Sequence, residues 1–224
     1  MSDCMSRDSG AMRTARTGRF ALKVALESPF QPRFYLFVDT GVCPQIGTSF
    51  RHNSAMTVTY DAHHSIASLV DQLATLLPGR GETLATSESC TGGMIAAACT
   101  DRAGSSEWFE RGFVTYSNAA KRDSLGVDAE LLERHGAVSE AVVAAMLEGT
   151  LSHSLADWAI AVSGVAGPGG GSDDKPVGTV FIGWMERDRA PEVIRYQFEG
   201  TRDEVRCQSV VAALVGLRER ADAG

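Results

Sequence analysis

The run at residues 158–165, WAIAVSGV, is apolar or small almost throughout. A strand with one wet face alternates apolar and polar side chains, and this run has almost nothing to turn outward. It must therefore be covered on both faces, as a central strand is. That requirement selects a layered α/β architecture with helices above and below one sheet. The flanking sequence supplies those helices. Ile66, Leu69, Val70, Leu73, Leu76 and Leu77 recur at helical spacing, and Pro78-Gly79 is the expected stop. A short strand is expected at 83–88, a small-residue helix at 91–100, and a strand at 112–117. Asn118 is placed to cap the helix that holds Lys121, Asp128 to cap a short helix ending at His135, and Ser139-Glu140 to open another. Strands at 177–185 and 192–198, joined by the polar turn ERDRAP, read as a hairpin, and an amphipathic helix at 202–220 follows. The expected fold is a three-layer αβα sandwich on a mixed, mostly parallel sheet of about five strands.

Residues 1–55 have a different character. Seven Lys and Arg stand against four Asp and Glu there, a charge of +3, which leaves −10 on residues 56–224. Only FYLFV at 34–38 looks like a strand, so 1–55 is expected to be a disordered or mis-assigned extension, with Met56 as an alternative start. An organellar transit peptide is a second reading of this Arg-rich stretch. Residues 56–224 are expected to form the functional domain. The net charge of −7 argues against nonspecific nucleic-acid binding, and no apolar run is long enough to span a membrane. Five scattered cysteines without a C-x-x-C pair fit a reducing cytoplasm, not a disulfide scaffold or a zinc site. His63-His64 has no ligand cluster at metal spacing, and neither a metal nor a cofactor is expected.

The chemistry-bearing residues fall where strands turn into helices. Ser89 ends a strand candidate, and Gly92 and Gly93 follow it. A serine there has an exposed hydroxyl, with the N–H groups of Cys90, Thr91, Gly92 and Gly93 beside it for a developing oxyanion. Alternatively Ser89 or Thr91 is only an N-cap. Cys90 is a rival nucleophile or a buried inert thiol. Lys121 and Tyr116 flank the next strand-to-helix turn, on the same expected sheet edge. A desolvated lysine there loses its proton easily and can act as a base, with Tyr116 relaying; a solvated helix lysine is the other reading. The loop GVAGPGGGSDDKP follows the central strand, and Gly167, Gly169, Gly170 and Gly171 could form an anion nest with Lys175 nearby, or simply a flexible turn. It lacks the G-K-[ST] of a Walker loop. Asp173 and Asp174 read as solvated charges. Trp108, Phe109 and Phe113 read as core, or as an aromatic wall for a flat ligand.

TSESCTGG, GSSEWFERGFVTYSNAAK, GAVSE and SGVAGPGGGSDDKPVGTVFIGW together resemble the CinA C-terminal domain family, over about residues 64–219. Stand-alone members of that family are nicotinamide-nucleotide amidohydrolases. The resemblance implies an αβα sandwich, a tendency to form homo-oligomers, and a serine amidohydrolase that deamidates nicotinamide mononucleotide to nicotinate mononucleotide and ammonia. The family's nucleophile falls on Ser89, and its tyrosine and lysine fall on Tyr116 and Lys121. Its glycine-rich loop falls on residues 164–172, which implies substrate contacts from Gly164, Ala166, Gly167, Gly169, Gly170, Gly171 and Ser172. Residues 1–55 are too short for the large molybdopterin-binding-like domain of full-length relatives. The family also includes competence- and damage-associated proteins. A non-catalytic nucleotide- or phosphate-binding module, or an amidohydrolase acting on another carboxamide, is therefore the alternative.

Overall fold

The computed structural model describes residues 66–223 and the backbone of three short strands before them. Those strands, β1 (Arg19–Ala21), β2 (Phe37–Asp39) and β3 (Gln45–Ile46), pair antiparallel in that order. The strand expected at 34–38 overlaps β2 at Phe37 and Val38. The remainder of the extension, the boundary at 55/56 and His63-His64 lie outside the described residues.

Helix α1 (Ile66–Arg80) opens the domain and buries Leu69, Val70, Leu73 and Leu77. It runs through Pro78 instead of stopping there, because the terminator is Gly81. Gly81 has a φ of 69°, and the N–H groups of Gly81 and Glu82 bond back to the carbonyls of Pro78 and Leu77. A glycine in the left-handed region with this bonding closes the orphaned carbonyls of a helix end. Strand β4 (Leu84–Glu88) follows, then α2 (Met94–Thr100) and β5 (Phe109–Val114). Next come α3 (Asn118–Leu125), α4 (Ala129–His135) and α5 (Glu140–Ser152). The central strand β6 (Trp158–Gly164), the hairpin β7 (Thr179–Glu186) and β8 (Glu192–Gln197), and α6 (Arg202–Ala223) complete the fold.

The sheet order is β5-β4-β6-β7-β8. Strands β5, β4 and β6 are mutually parallel, whereas β6–β7 and β7–β8 are antiparallel. The mixed αβα sandwich expected from the sequence is the fold of this domain. Side chains alternate across the sheet. Leu84, Trp158, Ile160, Val162 and Trp184 face a core with α1, α2 and α6. Ala85, Ala159 and Ala161 face a second core with α3, α4 and α5.

Small residues on this second face let the helices come close. A Cβ on Gly183 would lie 2.8 Å from Leu147, and one on Gly149 of α5 would lie 2.1 Å from the carbonyl oxygen of Leu125 on α3. This close packing brings α3 down beside the ends of the parallel strands. On the opposite face α6 is buried around its whole circumference from Cys207 to Leu217, more completely than an amphipathic surface helix. Trp184 donates from its indole to the Ala213 carbonyl at 2.8 Å, and Gly216 gives it room.

Candidate active site

The C-terminal ends of β4, β5 and β6 form one edge, and three of its connections meet there. The first is the turn between β4 and α2. The expected helix start at residue 91 moves to Met94, because Gly92 and Gly93 both take positive φ, 63° and 93°. Glu88, which the sequence reading treated only as a strand end, organises this turn. It is 1 % exposed and sits at the end of β4 on the α2 face. One carboxylate oxygen accepts from the N–H groups of Gly93 (3.0 Å) and Ile95 (3.1 Å), and the other from Ala96 (2.9 Å). These are donors that the first turn of a helix leaves without partners, and a carboxylate is the strongest neutraliser of that helix end.

The next residue, Ser89, points to the other face of the sheet, toward α3. Its N–H is held by the Val162 carbonyl at 2.9 Å, and the hydroxyl is nearly buried. Lys121 of α3 meets it with Nζ 2.9 Å from Ser89 Oγ, and the same nitrogen donates to the Thr115 carbonyl at 2.7 Å. Lys121 is completely buried. Among the described residues no carboxylate lies within ion-pair distance of it. Both oxygens of the nearest buried acid in sequence, Glu88, are occupied by backbone N–H groups. Burial therefore pushes the Lys121 amine below its ordinary value. A neutral amine offers a lone pair, and the serine proton at 2.9 Å is the one it can take.

The helix carrying Lys121 is capped by Ser117, whose hydroxyl accepts from the Ala120 N–H at 3.0 Å. The sequence reading gave that role to Asn118, which becomes the first helical residue. The displacement has the same origin as the earlier position of β5: that strand begins pairing with β4 at Phe109, so the turn also comes earlier. Trp108 is buried in the α1/α6 core with Phe109 packed against it edge-on, and Phe113 lies against the opposite core, so no aromatic wall forms from the three.

Cys90 is buried, and desolvation pushes its thiol up to about 11, outweighing the backbone N–H groups of Cys90 and Thr91 that favour the thiolate. It is a thiol at neutral pH and a poor nucleophile. Of the four N–H groups considered for an oxyanion, that of Gly93 is bonded to Glu88 and that of Gly92 to the Ser89 carbonyl. Those of Cys90 and Thr91 meet the Cys90 sulfur, a weak acceptor, and have no carbonyl or carboxylate partner among the described residues.

Tyr116 does not join the Ser89–Lys121 pair directly. It is 60 % exposed, and its hydroxyl accepts from Arg202 at 2.9 Å. A second nitrogen of Arg202 donates to the Gly167 carbonyl, also at 2.9 Å. One guanidinium thus joins the Tyr116 turn to the glycine loop. Within that loop Ala166 and Gly167 are buried, whereas residues 168–174, including Gly169, Gly170, Gly171 and Ser172, are exposed. A Cβ on Gly164 would press on Val180 and Thr179 of the following strand, and one on Gly167 on Val177 just before it, so both glycines are needed for close packing. The tip is closed by Ser172 and Lys175, which exchange backbone bonds. The amine of Lys175 is tied to the His135 carbonyl at 2.9 Å.

Arg202 and Arg206 escaped the sequence reading. Their signal was nevertheless present: two cations in the first turns of a helix oppose its dipole, which suggests that something other than helix stability places them.

Residues 66–221 match the family model described as the CinA C-terminal domain. The chain belongs to the CinA C-terminal domain family. A nicotinamide-nucleotide amidohydrolase PncC of Escherichia coli (strain K12) is 50% identical over 152 residues, covering 68% of this chain and 92% of that protein. The protein of the same description from Pseudomonas putida is 52% identical over 155 residues, or 96% of its length. A CinA-like protein of Mycolicibacterium gilvum is 51% identical over 154 residues, which make up 36% of that longer chain. Among solved structures, a competence/damage inducible protein from Agrobacterium tumefaciens superposes with a TM-score of 0.68 at 43% identity, covering 70% of this chain and 95% of that one. A CinA superfamily protein from Klebsiella pneumoniae gives 0.69 at 42%, covering 71% and 99%. The matched region therefore makes up nearly all of some relatives and about a third of a longer one.

Proposed function

We propose that this chain is a serine amidohydrolase that removes the carboxamide nitrogen of nicotinamide mononucleotide, releasing nicotinate mononucleotide and ammonia. The observation that carries the reading is the buried amine of Lys121, without a counter-ion among the described residues, 2.9 Å from the hydroxyl of Ser89. The relatives named nicotinamide-nucleotide amidohydrolase, half identical over nearly their whole length, supply the substrate.

In this reading neutral Lys121 takes the proton of Ser89 as Oγ attacks the carboxamide carbon. The N–H groups of Cys90 and Thr91 hold the oxyanion. Lys121 then gives its proton to the departing nitrogen, and ammonia leaves an acyl-serine. Water attacks the acyl carbon, losing a proton to Lys121, and that proton returns to Ser89 as the acid departs. General base and oxyanion donors each supply roughly 10²-fold or more, so the pair accounts for a substantial acceleration by itself. Because Arg202 donates to the Tyr116 oxygen, the phenolic hydrogen is left free to bond the substrate from the rim. The exposed glycine tip and Arg202 offer N–H groups and positive charge to the phosphate.

The test is ammonia release from nicotinamide mononucleotide by the wild-type chain, Ser89→Ala and Lys121→Ala, with a panel of other small carboxamides beside it. Loss of at least about 10³-fold is expected for each variant. Near wild-type turnover in either variant, with the fold intact, defeats the assignment. Turnover of another amide alone would keep the mechanism and change the substrate, and tight binding of the mononucleotide without ammonia would favour a non-catalytic binding module.

A further inference from the structure

Arg206 lies one helical turn beyond Arg202 and reaches the nucleophile turn across 116 residues of sequence. Its Nε donates to the carbonyl of Cys90 at 3.1 Å and its Nη2 to that of Thr91 at 2.9 Å. Two consecutive carbonyls are thus held by one planar fork. In a trans peptide the N–H points opposite to the carbonyl of the same unit. Holding the Cys90 carbonyl on the α6 side turns the Thr91 N–H away from α6. Holding the Thr91 carbonyl likewise orients the Gly92 N–H, which bonds to the Ser89 carbonyl at 3.1 Å.

The turn has little rigidity of its own, because Gly92 and Gly93 both adopt left-handed backbone that only glycine visits freely. Glu88 fixes its far end at Gly93. The middle, where the oxyanion donors lie, is held by Arg206. We propose that Arg206 is a positioning residue for the reaction: by gripping the carbonyls of Cys90 and Thr91 it aims the Thr91 N–H at the oxyanion formed on Ser89. This rests on the reading of Ser89 as nucleophile, and it gives Arg206 a part in the chemistry that acts through the Cys90 and Thr91 carbonyls instead of the substrate.

Lysine cannot reproduce the grip, since a single ammonium does not match two carbonyls set side by side as a guanidinium fork does. The test follows phosphonylation of Ser89 by a fluorophosphonate, in which Oγ displaces fluoride at phosphorus, located by peptide mass spectrometry. It is combined with kcat and KM for nicotinamide mononucleotide. The chains are wild type, Arg206→Met, Arg206→Lys and Ser89→Ala, each assayed below its own unfolding temperature.

Labelling and kcat are expected to fall roughly 10–100-fold in Arg206→Met, with KM within about twofold, because Arg206 spends its Nε and Nη2 donors on the two backbone carbonyls. Arg206→Lys should recover only part of the rate, and it carries the test if the Met variant does not fold. Labelling of both variants at the wild-type rate overturns the proposal while leaving the serine mechanism standing. A defect confined to KM, or full recovery by lysine, overturns it too. Failure of the wild-type chain to label at Ser89 removes the reading on which it depends, and the proposal falls with it.

Discussion

Replacing Lys121 with methionine tests the neutral-amine reading without any substrate. Methionine has nearly the length and volume of the lysine stem but carries no proton. The variant loses the bond to Ser89 and leaves the Thr115 carbonyl without its donor, a penalty of about 1–3 kcal/mol that does not change with pH. What does change with pH is the wild-type chain. In the unfolded state Lys121 titrates near the ordinary lysine value, about 10.4. Folding pushes its value down by burial. Between the two values the unfolded chain binds one proton more than the folded chain, and unfolding stability therefore rises with pH. The largest slope is about 1.4 kcal/mol per pH unit for a single proton. Below the folded value and above the unfolded one, the contribution is flat. Urea unfolding from pH 6 to 11 of the chain and its Lys121→Met variant, both carrying Cys90→Ala to remove the thiol coupled to Lys121, should show the lysine form gaining across that window, because the remaining titrating groups cancel in the difference. A difference that stays constant, or that falls as pH rises, would mean that Lys121 keeps its charge when folded and would refute the reasoning.

Glu88→Ala should cost about 3–5 kcal/mol in urea unfolding, since three backbone N–H groups lose a buried carboxylate. Glu88→Gln should lose less, because its amide still accepts at one oxygen; equal stability of Glu88→Ala and wild type would contradict the capping role. Cys90→Ala should keep ammonia release within about threefold, because a thiol pushed up to about 11 is not the nucleophile; abolished turnover in a folded variant would return Cys90 to candidacy. Gly149→Ala inserts a Cβ 2.1 Å from the Leu125 carbonyl and should cost about 2–3 kcal/mol by overpacking. It should also slow turnover, because α3 must shift and carry Lys121 with it; a crystal structure of the variant with α3 unmoved would exclude that route.

The sandwich was readable because its determinants are local or periodic. The unbroken apolar stretch of β6 needs cover on both faces, and α1, α4 and α5 announce themselves by spacing and caps. The pairing of Ser89 with Lys121 was readable for a topological reason: successive strand ends of a parallel sheet share an edge, so a residue ending one strand lies near the helix that follows its neighbour. The differences arose where one local signal outweighed another, or where the partner lay far along the chain. Pro78 looked like a stop, but the last turn tolerated it and the chain ended at a glycine that could adopt the left-handed cap. Gly92-Gly93 looked like the first residues of a helix, but both take left-handed backbone and precede it. Arg202 and Arg206 were hidden because their partners are 86 and 116 residues away, and nothing in their own neighbourhood names Tyr116 or Cys90.

Helix α6 follows every other described element along the chain, yet its first turns grip the turns that hold Ser89 and Tyr116, and its middle fills the larger core. During synthesis the residues around Ser89 and Lys121 leave the ribosome well before it. A nascent chain can form the parallel strands and bring the serine and lysine near one another, but the turn between them stays loosely held until α6 docks. Synthesis of α6 and ordering of the Ser89 turn are thus coupled, and a fragment released before α6 would have Ser89 and Lys121 near one another without the hold that Arg202 and Arg206 supply.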